Sequence, residues 1–143
     1  MPFKRRARYD HVSWAIYSDP EIGHTGWTEQ EVLQKDIPHR IYRYAMKDLD
    51  RAIINGRTAG FIKLICTPSG KLLGGHVVGP AAGELVQVIQ LAMANGIRVG
   101  KLSQAIRIYP TMIEGLERAA DNYYREKLSG SLGKLLRWIA RFH

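Results

Sequence analysis

The sequence of 143 residues holds a single cysteine, Cys66. That excludes an intramolecular disulfide, a paired-cysteine redox centre and a cysteine-rich zinc site within it. It also lacks any run of about 18 apolar residues able to span a bilayer. Its basic first residues are not followed by an apolar stretch, so no secretory signal is visible. A soluble, cytoplasmic protein is the resulting expectation. There is no GxGxxG after a strand, no GxxxxGKS/T and no GxSxG, so no nucleotide cradle or nucleophile elbow is visible. His11, His24, His39, His76 and His143 are scattered without the spacing that places two imidazoles on one metal. They read as surface or packing residues, and no metal site is expected.

Acidic residues are too few to balance the basic ones, leaving a net charge of +8. The excess sits at the ends: Lys4, Arg5, Arg6 and Arg8 at one, and Arg125, Lys127, Lys134, Arg137 and Arg141 at the other. The stretch between them is neutral. Solvated basic ends are therefore the plainer reading than specific nucleic-acid binding.

Hydrophobic periodicity orders the rest. In "HVSWAIY" Val12, Trp14 and Ile16 alternate with smaller or polar neighbours, which predicts a half-buried strand. It ends at Asp19-Pro20, and a second short strand runs from Ile22 to Trp27. Thr28 and Glu31 then have capping-box spacing for a helix to about Lys35. "RIYRYAM" reads as a strand and residues 51–60 as a connection broken by Asn55-Gly56 and Gly60. "FIKLICT" and "LLGGHVVG", separated by "PSGK", predict an antiparallel hairpin. Gly74-Gly75 inside its second strand marks a bulge or a close backbone approach.

From Ala82 the period becomes helical, with Leu85, Val86, Ile89, Ala92 and Met93 on one face and a stop at Asn95-Gly96. A shorter helix is expected over 101–105. Thr111 and Glu114 have the spacing of a second capping box, opening a helix to about Leu128 that buries Ile113, Leu116, Ala120 and Tyr124. Strands first and helices after them predict an α+β domain with a largely antiparallel sheet flanked by helices. The expected layout is a basic segment over 1–8, a domain over 9–128 and a basic amphipathic helix over 129–143. That last helix has Leu132, Leu135, Leu136, Ile139 and Phe142 in its stripe. It suits either docking on protein or peripheral contact with an anionic membrane.

The candidate chemistry lies in "IYPTMIEG", residues 108–115. A free phenol has a pKa of about 10, so Tyr109 is a proton donor or hydrogen-bond partner at neutral pH and a poor base. Glu114 is either its catalytic partner or the third residue of the capping box. Cys66 reads as a small buried hydrophobe.

Three segments carry a resemblance. "YDHVSWAIYSDPEIGHTGWTEQEV", "GRTAGFIKLICTPSGKLLGGHVVGPAAGELVQVIQLAMANG" and "YPTMIEGLERAAD", together about residues 9–125, resemble the C-terminal dimerisation domain of the pyridine nucleotide-disulfide oxidoreductases. That family includes dihydrolipoamide dehydrogenase, glutathione reductase and mercuric reductase. The resemblance implies an interface module, excised or free-standing, of an enzyme dependent on FAD and NAD(P)H, with no cofactor held by this chain alone. It implies a homodimer in which the loop before the long helix meets the partner's flavin. Tyr109 and Pro110 would be its cofactor-binding residues, and Tyr109 and Glu114 its catalytic ones. Disulfide-reducing members read HPTxxE there, and this chain puts Tyr109 in the histidine's place, which disfavours the usual dithiol chemistry. Mercuric reductase has a tyrosine at that point but captures its metal with cysteines that this tail lacks. The alternative is a basic anchoring module that attaches to membrane or nucleic acid through its tail.

Overall fold

The computed structural model describes residues 12–105 and 108–129. Five strands form one sheet: β1 (Trp14–Ile16), β2 (Ile22–Gly26), β3 (Arg40–Ala45), β4 (Phe61–Cys66) and β5 (Leu72–Val78). Their order is β1-β2-β5-β4-β3, and every neighbouring pair is antiparallel. The helices are α1 (Glu29–Gln34), α2 (Asp50–Ile54), α3 (Ala82–Ala94), α4 (Val99–Ser103) and α5 (Glu114–Ser129). This is the α+β architecture that the order of elements predicts.

The strand period of two sorts the sheet into two faces. Tyr42, Ile62, Leu64 and Val77 point toward α3 and α5 and join Val86, Ile89, Leu116 and Ala120 in the core. A row of Trp14, His24, His76, Lys63 and Arg43 runs along the other face, one residue from each strand. Helix α1 lies on that second face, where Glu29 Oε2 reaches Lys63 Nζ at 3.3 Å and Arg43 Nη2 at 3.4 Å. Its capping box forms as its sequence predicts. Thr28 N donates to Glu31 Oε2 at 2.7 Å, and Glu31 N donates to Thr28 Oγ1 at 3.2 Å. The side of this face nearest β1 stays uncovered by the described residues, leaving Trp14 and Ile16 exposed.

The paired glycines do both things expected of them. The β4–β5 register shifts at Ile65/Cys66, and an ideal Cβ on Gly74 would lie 2.1 Å from the Trp27 carbonyl oxygen. Trp27 N donates to Leu73 O at 2.9 Å, so the end of β2 is pinned against β5 there.

Four expectations need correction. The connection expected over 51–60 contains α2, preceded by a 3-10 turn (Met46–Asp48), because Met46, Leu49 and Ala52 are buried and pull the chain into helical turns. Helix α4 begins at Val99, two residues early, since Val99 and Leu102 are its buried anchors. On α5 it is Tyr123 that is buried, edge-on to Tyr42, while Tyr124 sits at the margin and donates to Gly100 O. The Thr111–Glu114 capping box does not form. Thr111 Oγ1 donates back to Ile108 O at 2.8 Å, and Glu114 is itself the first residue of α5. The basic segment expected over 1–8 lies outside the described residues, as does all but Ser129 of the amphipathic helix expected over 129–143.

Candidate functional site

Between α4 and α5 the chain turns through Ile108, Tyr109 and Pro110, with a cis Tyr109–Pro110 bond. The loop stands proud of the surface: Ile108 is 81% and Tyr109 63% exposed. Behind it α5 starts abruptly, because Gly115 N bonds Met112 O and Leu116 N bonds Ile113 O in a tight first turn. Gly115 permits that approach, since a Cβ there would meet Ile62 Cδ1 at 2.5 Å.

Tyr109 does not pair with Glu114. Its hydroxyl donates to Asp50 Oδ2 at 2.6 Å, across 59 positions of sequence. The hydrogen bond to that carboxylate pushes the phenol above its ordinary pKa, so the ring stays protonated through the neutral range. Glu114 is buried, 7% exposed. Its Oε1 accepts from Arg118 Nε at 3.1 Å and Nη2 at 2.8 Å, a fork that supplies a countercharge one helical turn away. Its Oε2 is buried without a partner among the described residues. Tyr109 and Glu114 therefore line one cleft, of about 320 Å³, with Gln104, Ile108, Glu117 and Arg118, while answering to different partners.

The chain's one thiol is remote from this chemistry. Cys66 is fully buried, and burial pushes its pKa up to about 12. Among the described residues no group of three or more His, Cys, Asp or Glu side chains could hold a metal. The amide that opens α3, Ala82 N, is met at 3.0 Å by the Glu21 carboxylate, which fills the anion position at that helix end.

Residues 12–120 match the family model described as pyridine nucleotide-disulphide oxidoreductase, dimerisation domain. The chain belongs to that family. This dimerisation domain is 36% identical over 112 residues to a mercuric reductase of Acidithiobacillus ferrooxidans, covering 78% of the chain and 20% of that protein. It is 30% identical over 126 residues to a dihydrolipoamide dehydrogenase of Chaetomium thermophilum, covering 84% of the chain and 25% of that protein. Among solved structures, LpdA from Mycobacterium tuberculosis superposes with a TM-score of 0.77 at 28% identity, over 82% of this chain and 26% of that one. The Escherichia coli flavoprotein disulfide reductase RclA shares the fold at TM-score 0.76 and 20% identity, over 80% of this chain and 26% of that one. The chain thus spans about a fifth to a quarter of the length of these relatives.

Three features escaped the sequence. Asp50 and Arg118 become partners of the site only through the fold, although the Glu114–Arg118 spacing of four was an available signal. The pairing of His24 with His76 depends on the β2–β5 register and had no local signal.

Proposed function

We propose that this domain forms a homodimer within an oxidoreductase dependent on FAD and NAD(P)H, and that it lends the Tyr109-Pro110 loop to the flavin site of the partner subunit. Membership of the dimerisation-domain family and the mercuric reductase and dihydrolipoamide dehydrogenase among its relatives support this reading. The observation that carries it is the loop itself. Ile108 and Tyr109 project an isoleucine and an aromatic ring into solvent, at a cost that a second surface would remove.

In this reading Tyr109 contributes a protonated hydroxyl and a flat ring, while Glu114, locked by Arg118, holds the first turn of α5 beneath the loop. Tyr109 is unsuited to the role of a general base, because the Asp50 carboxylate favours its protonated form. Cys66 supplies no thiolate for exchange with disulfides or for capture of a soft metal. The electron acceptor of the whole enzyme is therefore set by parts other than this thiol.

Sedimentation of the chain across a wide concentration range tests the dimer; a single-subunit mass throughout would overturn it. In a flavin-loaded reductase carrying this domain, Tyr109→Phe should alter the rate of NAD(P)H oxidation or its pH profile. Unchanged values of both would remove the loop from the flavin site. The anchoring alternative rests on the tail beyond Ser129, outside the described residues, and nothing among the relatives supports it.

A further inference from the structure

We propose that Asp50 is the positioning residue of Tyr109, and that by taking the phenol's only hydrogen it leaves the hydroxyl facing incoming groups as an acceptor. This deepens the reading above and rests on it for the loop's importance, though not for its own test. Three observations carry it. The Tyr109 hydroxyl to Asp50 Oδ2 distance is 2.6 Å, the ordinary length of a charge-assisted bond from a hydroxyl to a carboxylate. Asp50 is the first residue of α2, on an element separate from the loop that carries Tyr109. Glu114, the sequence-adjacent candidate for holding the ring, is turned away and bound to Arg118.

The consequence is chemical. A phenol has one hydrogen and two lone pairs. With that hydrogen committed to Asp50, a group arriving over Tyr109 meets lone pairs and must itself donate. Glu114 lines the same cleft but offers no second acceptor there, since its free Oε2 is buried. The hydroxyl so held favours a ligand presenting N–H or O–H groups over one presenting a carboxylate or phosphate. The charged groups facing the ring are Asp50 from α2 and Glu114 and Arg118 from α5, with Glu117 lining the cleft beside them.

The test uses the chain with 13C-labelled tyrosine rings. The Tyr109 resonance is assigned as the one that Tyr109→Phe removes, and its ionisation is followed with pH. In Asp50→Asn, whose amide oxygen still accepts the hydrogen bond, and in Asp50→Ala, the Tyr109 midpoint should move to lower pH than in the unaltered chain. A midpoint that stays put or rises in both variants overturns the proposal. Because Asp50 is exposed, the Asn variant keeps the fold even where Ala perturbs α2. Sedimentation of the same samples reports dimerisation separately, so a monomeric chain with a displaced midpoint would sink the family-type dimer and leave the Asp50 assignment standing.

Discussion

The Nδ1 atoms of His24 and His76 face each other at 3.1 Å across the β2–β5 pairing. One ring must donate and the other accept, so the contact holds only while at least one imidazole is neutral. Trp14 stacks on His24 with ring centroids 4.9 Å apart, covering the pair from the β1 side.

Acid should therefore weaken the fold through this pair. Burial, then the nearby Lys63, lowers the His76 pKa from 6.5 to about 4, and burial lowers that of His24 as well. Unfolded histidine binds a proton near its ordinary value, whereas folded His76 refuses one until about pH 4. Stability is fully present above 6.5, falls as pH drops through the window, and stops falling on this account below about 4. Allowing for partial exposure, the loss from His76 is roughly 2 kcal/mol. Urea unfolding at pH 7 and at roughly pH 4.5, near the foot of that window, should show a smaller drop for His76→Gln than for the unaltered chain; equal drops would contradict the assignment.

Cys66 should resist modification. With its pKa near 12, against 9.0 for an unperturbed thiol, its thiolate fraction at mild alkaline pH is reduced about a thousandfold. Alkylation by iodoacetamide should be slow in the native chain and should accelerate through the urea transition. Rapid native labelling would show that β4 opens locally.

The sequence disclosed whatever depends on neighbours along the chain. The Thr28–Glu31 box, the hairpin of "FIKLICT" and "LLGGHVVG", and the apolar face of α3 follow from spacings of two, three and four residues, and all form. Thr111–Glu114 has the same spacing as Thr28–Glu31 yet forms no box. Burial of Glu114 beside Arg118 outweighed the local preference, and Thr111 bonded back to Ile108 instead. Helix α2 escaped because its five residues are too few to show a period, and its helical state comes from burying Ala52 together with Leu49 just before it. Asp50 could be joined to Tyr109 only after the fold had closed the 59 positions between them.

Replacing Gly74 by alanine should cost about 3 kcal/mol, the upper end of overpacking penalties. The added carbon would strike the Trp27 carbonyl oxygen at 2.1 Å and Trp27 N at 2.8 Å, both backbone atoms that no rotamer change can move. Gly96→Ala is the control. Its Cβ would meet nothing within 4 Å, and its φ of +65° leaves only the left-handed penalty of about 1 kcal/mol. Denaturant midpoints should rank the two accordingly; equal losses would mean that β2 shifts freely over β5.

Glu114 and Arg118 should behave as a unit. Glu114 is 7% exposed and depends on the guanidinium for both bonds that its described surroundings give it. Arg118→Met leaves a carboxylate buried without compensation, a change that costs about 1–3 kcal/mol or more for a charged group. Glu114→Leu combined with Arg118→Met removes both needs at once and fills the same space with apolar atoms, so most of that loss should return. A double-mutant cycle measured by urea unfolding resolves this. If the double variant is as unstable as the sum of the two single changes, the pair is not coupled, and Glu114 holds the first turn of α5 by some contact other than Arg118.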